Sequence, residues 1–165
     1  MTTLVTGASG FVGSAVVRQL LARGEAVRVL VRPASDRSNV RALAVEVVEG
    51  DLRAPATLAT ACAGCTALYH VAADYRLWTR DPRELYASNV EGTRHLMRAA
   101  LDAGIPRIVY TSSVATLGLH TDGSPSNEDS PVALDNMIGH YKRSKFLAER
   151  VIDELVARDG LPAVI

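Results

Sequence analysis

Lysine is nearly missing from this chain of 165 residues: only Lys142 and Lys145 occur among 18 basic positions, both inside Tyr141-Lys142-Arg143-Ser144-Lys145. Net charge is missing as well, because 18 acidic residues balance the basic ones, so no overall field would draw nucleic acid or an anionic membrane. No apolar run exceeds a strand in length, which excludes a membrane-spanning helix. Cysteine is confined to Cys62 and Cys65, a C-x-x-C without a second Cys or His pair at matching spacing, so no zinc site is expected. The pair closes a predicted helix instead of opening one, unlike a redox dithiol, and reads as two small buried thiols. His70, His95, His120 and His140 lack ligand spacing and read as structural or solvated, so no metal is expected.

The residues that are present describe an ordinary globular domain, 48% hydrophobic and 22% charged, long enough for one core. An apolar strand begins within three residues of Met1, which leaves no room for a signal peptide and makes the cytoplasm the expected location. Short β-branched runs recur at 3–6, 26–31, 45–48, 67–71, 107–111 and 162–165, separated by stretches of helical period at 11–23, 54–62, 82–103 and 139–158. Strand–helix alternation with near-continuous apolar strands predicts an α/β fold, a doubly wound parallel sheet covered on both faces. The irregular stretch 114–138 is long enough to be functional. The sixth run starts at Gly160-Leu161-Pro162 and the chain stops within it. The expectation is therefore a sheet cut short in strand six, with residues 1–165 forming the N-terminal part of a longer protein whose substrate-binding portion is absent.

Gly7-x-x-Gly10-x-x-Gly13 follows the first predicted strand and opens a helix, which makes the fold Rossmann-like. Gly7 permits the tight turn, Gly10 lets a pyrophosphate approach the backbone, and Gly13 allows close packing. Ser9, Phe11 and Val12 complete the expected phosphate contact at the positive end of that helix. Position 32, just past strand two, is where an acidic residue would grip the ribose 2′-hydroxyl of NAD. It is Arg32, with Arg37 near, so NADP is favoured and NAD remains possible. Asp51 and Leu52 follow strand three and would cap the adenine end. Val71, Ala72 and Ala73 end strand four with small residues where a cofactor must pass the backbone.

Tyr141 and Lys145 are four apart, on one helix face, and a phenol beside an ammonium is an acid–base pair. Together with the glycine turn, this pairing points to an enzyme that moves hydride. Asn89, Gly92 and Thr93 sit inside a predicted helix they disfavour, so they require a reason beyond propensity.

The glycine turn, Gly50-Asp51-Leu52, His70-Val71-Ala72-Ala73, Asn89-Val90-Glu91-Gly92-Thr93, Thr111-Ser112-Ser113 and Tyr141-x-x-x-Lys145, in that order, resemble the extended short-chain dehydrogenase/reductases over the whole chain. Within them, 70–78, 110–119 and 139–145 look most like bacterial hopanoid-associated sugar epimerases, which in turn resemble dihydroflavonol reductases. The resemblance implies that Tyr141 is the acid–base residue and that Lys145 lowers its pKa and bonds the nicotinamide ribose. It implies further that Ser113, or its neighbour Ser112, holds the substrate oxygen, and that Asn89 completes a proton relay through water to Lys145. Epimerase and reductase both use such a tyrosine and remain open, as does a non-catalytic nucleotide-binding or scaffold relative. Tyr75, Leu77 and Trp78 line a substrate site or cap the sheet edge. The implied partners are a small-molecule substrate, a sugar or a secondary alcohol or ketone, and a second copy of the chain. The second copy would form a homodimer through the helices 82–103 and 139–159.

Overall fold

The computed structural model describes residues 1–165. Six strands form one all-parallel sheet in the order β3-β2-β1-β4-β5-β6. They are β1 (Thr2–Thr6), β2 (Ala26–Val31), β3 (Val45–Glu49), β4 (Cys65–His70), β5 (Ile108–Tyr110) and β6 (Ala163–Val164). The direction of winding reverses between β1 and β4, and ligands of open α/β sheets bind outside the carboxyl ends of the strands at such a point. The helices are α1 (Phe11–Ala22), α2 (Leu58–Cys62), α3 (Arg83–Tyr86), α4 (Gly92–Asp102) and α5 (His140–Asp159). None is long and apolar enough to cross a membrane.

Strand alternation sends Leu4, Leu30, Leu68 and Ile108 to one face, where Leu58 of α2, Leu96 and Met97 of α4, and Ile152 and Leu155 of α5 cover them. Val5, Val29 and Val31 face the other way, onto Val17 and Leu20 of α1 and Val40 of the loop after β2. The faces are unequal: the first cluster holds 19 buried residues and the second 8, so the three helices on the first face carry most of the core.

Three expectations are refined. The stretch 82–103 is not one α-helix: Ala87–Glu91 forms a π turn between α3 and α4, with Asn89 at its centre. The stretch 54–62 divides into a 3₁₀ turn, Pro55–Thr57, and α2. Strand six pairs with β5 through only two residues, Ala163 and Val164. Cys62 ends α2 and Cys65 opens β4, both buried and unpaired, and burial pushes the Cys62 thiol up to about 11.

Candidate active site

The turn after β1 is held by close backbone contact and braced by side chains from the loop after β2 and from α1. Gly7 has φ +71°, and a Cβ there would lie 2.7 Å from the Ala72 amide nitrogen at the end of β4. A Cβ on Gly13 would lie 2.1 Å from the Gly7 carbonyl oxygen, so Gly13 packs α1 onto the turn itself. Ser9 O accepts from Asn39 Nδ2 at 2.8 Å, and Arg18 bonds Asn39 O at 3.0 Å and Ser14 O at 3.2 Å, bracing the turn from the loop after β2. Helix α1 begins without a capping side chain and without an acidic residue in its first turn. The Phe11, Val12 and Gly13 amides therefore have no acceptor from the chain.

At the ends of β2 and β3, Arg32 is exposed and unpaired, while Arg37 is committed to Glu49. Asp51 takes the Arg53 guanidinium at 2.7 Å, which holds its carboxyl below the usual carboxylate range, and the Arg32 charge adds to this. Leu52 O accepts from the His95 Nδ1–H at 3.1 Å, tying the loop after β3 to α4. Val71 and Ala72 are half-buried and Ala73 is exposed along the edge of the switch point.

His70 sits fully buried between β1 and α4. The Ala72 amide donates to Thr6 Oγ1 at 3.2 Å, and the Thr6 hydroxyl donates to Nδ1 of a neutral His70 at 2.7 Å. On the other side Thr93 Oγ1 donates to Asn89 O at 2.7 Å and must accept from His70 Nε2–H at 3.0 Å. This directed chain fixes a neutral imidazole protonated on Nε2. Burial pushes its pKa down to about 3, with the Lys145 charge acting in the same direction. His70 is thus structural, and it reaches from the glycine turn to the π turn.

Asn89 uses its whole side chain. Oδ1 accepts the Asp74 amide at 2.7 Å, and Nδ2 donates to Asp74 O at 2.9 Å and to Ser144 Oγ at 2.9 Å. Ser144 in turn donates to Tyr141 O at 2.8 Å. Asn89 therefore pins the loop after β4 to Ser144 of α5, with both amide protons engaged. This fastening sits at the centre of the π turn.

Tyr141 and Lys145 lie on one face of α5. Tyr141 is half-buried and its hydroxyl is not engaged by another side chain. Lys145 is buried, and its ammonium donates to the Tyr110 hydroxyl at 2.6 Å and to Thr111 O at 2.8 Å. It also lies over the Tyr110 ring, 4.2 Å from the centroid. Burial pushes the lysine down to about 8, partly offset by Glu149, and burial raises the Tyr110 phenol. One ammonium proton remains for a ligand.

The two serines after β5 differ. Ser112 Oγ donates to Glu149 on α5, whereas Ser113 Oγ accepts the Ala115 amide at 3.2 Å and keeps its own proton free. Sequence reasoning missed Tyr110, Ser144, Asn39 and Glu149. Only Glu149, one turn past Lys145 on the same face, left a local signal. Around this cluster Tyr75, Leu77, Trp78, Val114 and Ile138 are exposed on the loops that follow β4 and β5 and precede α5.

Residues 3–165 match the family described as the NAD dependent epimerase/dehydratase family. Among curated relatives, the chain is similar to a candidate dihydroflavonol 4-reductase of Synechocystis sp., 47% identical over 146 residues that cover 88% of this chain and 42% of the relative. Among solved structures it is similar to gox2253, with TM-score 0.94 and 56% identity over 98% of this chain and 49% of the other. It is also similar to DesIV, a dTDP-glucose 4,6-dehydratase from Streptomyces venezuelae solved with NAD and TYD bound, with TM-score 0.86 and 33% identity over 99% of this chain and 54% of the other. The chain spans about half the length of these proteins.

Proposed function

Since the chain belongs to the NAD dependent epimerase/dehydratase family, we propose that it forms the cofactor-binding and acid–base half of an enzyme that moves hydride at a secondary alcohol or ketone, with NADP preferred over NAD. The residues fit a dinucleotide. Three amides without an acceptor at the start of α1, no first-turn acid and no capping side chain suit a pyrophosphate. The unpaired Arg32, with Asp51 and Asp74 across from it already neutralised by Arg53 and Arg76, suits a 2′-phosphate. When bound, a nicotinamide dinucleotide supplies the hydride donor or acceptor.

The chain's own residues supply the proton chemistry. Tyr141 offers a free hydroxyl to a substrate oxygen, donating its proton in reduction and taking one in oxidation. Ser113, through its unspent hydroxyl proton, orients that oxygen. Lys145, desolvated and close to its ionisation point, directs its remaining proton to the ligand. Asn89 holds the loop after β4 against Ser144 of α5. The observation that carries this reading is the free Tyr141 hydroxyl on the same face of α5 as a buried ammonium.

The proposal extends to a homodimer through the helices 82–103 and 139–159, already tied within the chain by Arg94–Glu154 and Arg98–Asp159, and to a cytoplasmic location, which suits two unpaired thiols. Calorimetric titration with NADP⁺ and separately with NAD⁺ tests it. Tighter NADP⁺ binding supports the glycine turn as a cofactor site and Arg32 as the reader of a 2′-phosphate. Tighter NAD⁺ binding removes the Arg32 assignment, and binding of neither removes the function.

A further inference from the structure

We infer that Glu149 is a positioning residue of this site: its carboxylate fastens the turn carrying Ser113 to the helix carrying Tyr141 and Lys145. The inference rests on the acid–base reading of those three residues. Glu149 lies one helical turn past Lys145 on the same face of α5, with 13% of its side chain exposed. Its Oε1 accepts from the Ser112 hydroxyl and from Thr116 Oγ1 at 3.0 Å. Thr116 has one hydroxyl proton and a second acceptor in reach, Ser113 O at 2.6 Å. That carbonyl also receives the Thr116 amide at 3.0 Å, so the hydroxyl proton is shared between a carbonyl already bonded once and a carboxylate that offers a charge-assisted bond.

Ser113 itself makes no bond to α5. It caps the 3₁₀ turn Val114–Thr116, and the residues that bracket it in that turn, Ser112 and Thr116, both end on one oxygen of Glu149. The distance between the Ser113 hydroxyl and the Tyr141 face is thereby set by a residue that touches neither.

The same carboxylate acts on Lys145 through its charge. The ammonium is faced by Tyr110 from β5 and Glu149 from α5, while His70 from β4 lies within its field and Tyr141 adjoins Tyr110. Glu149 is the sole carboxylate of this set, and its own nearest cation is Arg150 at 3.9 Å. It offsets part of the burial penalty on the lysine.

The scarcity of lysine makes this measurable. Labelling with [¹³Cε]lysine gives two resonances, and Lys142 serves as internal reference for a pH titration of Lys145. Wild type, Glu149→Gln, Glu149→Ala and Ser112→Ala are compared, with hydrogen exchange of the Ala115 and Thr116 amides followed in the same samples. Glutamine keeps an Oε1 acceptor and drops the charge. Glu149→Gln is expected to lower the Lys145 midpoint by about one pH unit, tenfold in proton affinity, and to leave both amides protected. Ser112→Ala is expected to speed their exchange about tenfold, the loss of one hydrogen bond, with the midpoint in place. Glu149→Ala does both, and if it fails to fold the other two variants carry the test. A Lys145 midpoint unmoved in Glu149→Gln, or exchange unchanged in Ser112→Ala, overturns the inference. Neither readout needs a bound dinucleotide. NADP⁺ titration of the wild-type sample therefore reports separately on the proposed function, whose failure would leave the Glu149 measurements standing.

Discussion

The ammonium of Lys145 rests against the hydroxyl of Tyr110, at 2.6 Å, rather than against the tyrosine four residues before it on its own helix. A phenol at the end of β5 and a backbone carbonyl beside it hold the charge in place. The Tyr141 hydroxyl is left without a hydrogen-bond partner from the chain. The buried cation is thus held by groups at the end of β5, and α5 adds the charge of Glu149.

This arrangement makes Tyr110 a stability determinant. Tyr110→Phe removes the acceptor of a buried ammonium while keeping the ring beneath it, and should cost about 2 kcal/mol. Urea denaturation at pH 7 checks the value. A cost below about 0.5 kcal/mol would show that the ammonium finds another partner.

Acid should weaken the fold earlier than its carboxylates alone would allow. His70 titrates at about 3 in the folded chain against 6.5 when exposed, so between these values the unfolded chain binds the extra proton. Its contribution is complete above pH 6.5 and is lost as pH falls. Between pH 6 and 5, wild type should lose up to about 1.4 kcal/mol per pH unit more than His70→Asn. Equal slopes in denaturant titrations at these pH values would rule out a neutral buried imidazole.

Gly13→Ala should damage both fold and ligand binding, since its Cβ would stand 2.1 Å from the Gly7 carbonyl oxygen, which is backbone and cannot swing away. Overpacking of this kind costs about 1–3 kcal/mol. Thermal unfolding measures the loss. Calorimetry should find no dinucleotide bound to the variant under conditions where wild type binds.

Arg32→Asp should invert coenzyme preference. An acidic side chain at the end of β2 repels a 2′-phosphate and accepts from a 2′-hydroxyl, so NADP⁺ affinity should fall at least about tenfold while NAD⁺ affinity holds or rises. The ratio of the two dissociation constants is the measurement. An unchanged ratio would remove Arg32 from the site.

Much of this protein is written locally. The parallel α/β sheet, the glycine turn opening α1 and the shared face of Tyr141 and Lys145 follow from periodicity and from backbone conformations that neighbouring residues impose on one another, and the structure carries all three. Other features depend on partners far along the chain. Lys145 meets Tyr110 across 35 residues, Ser112 meets Glu149 across 37, and Asn89 meets Ser144 across 55. Which of two adjacent serines keeps its proton and which phenol holds the lysine were both decided by these bonds. A polar group leaving water must find a partner wherever packing puts one. Sequence spacing lists the groups that need partners, and only the assembled sheet and helices settle how they pair.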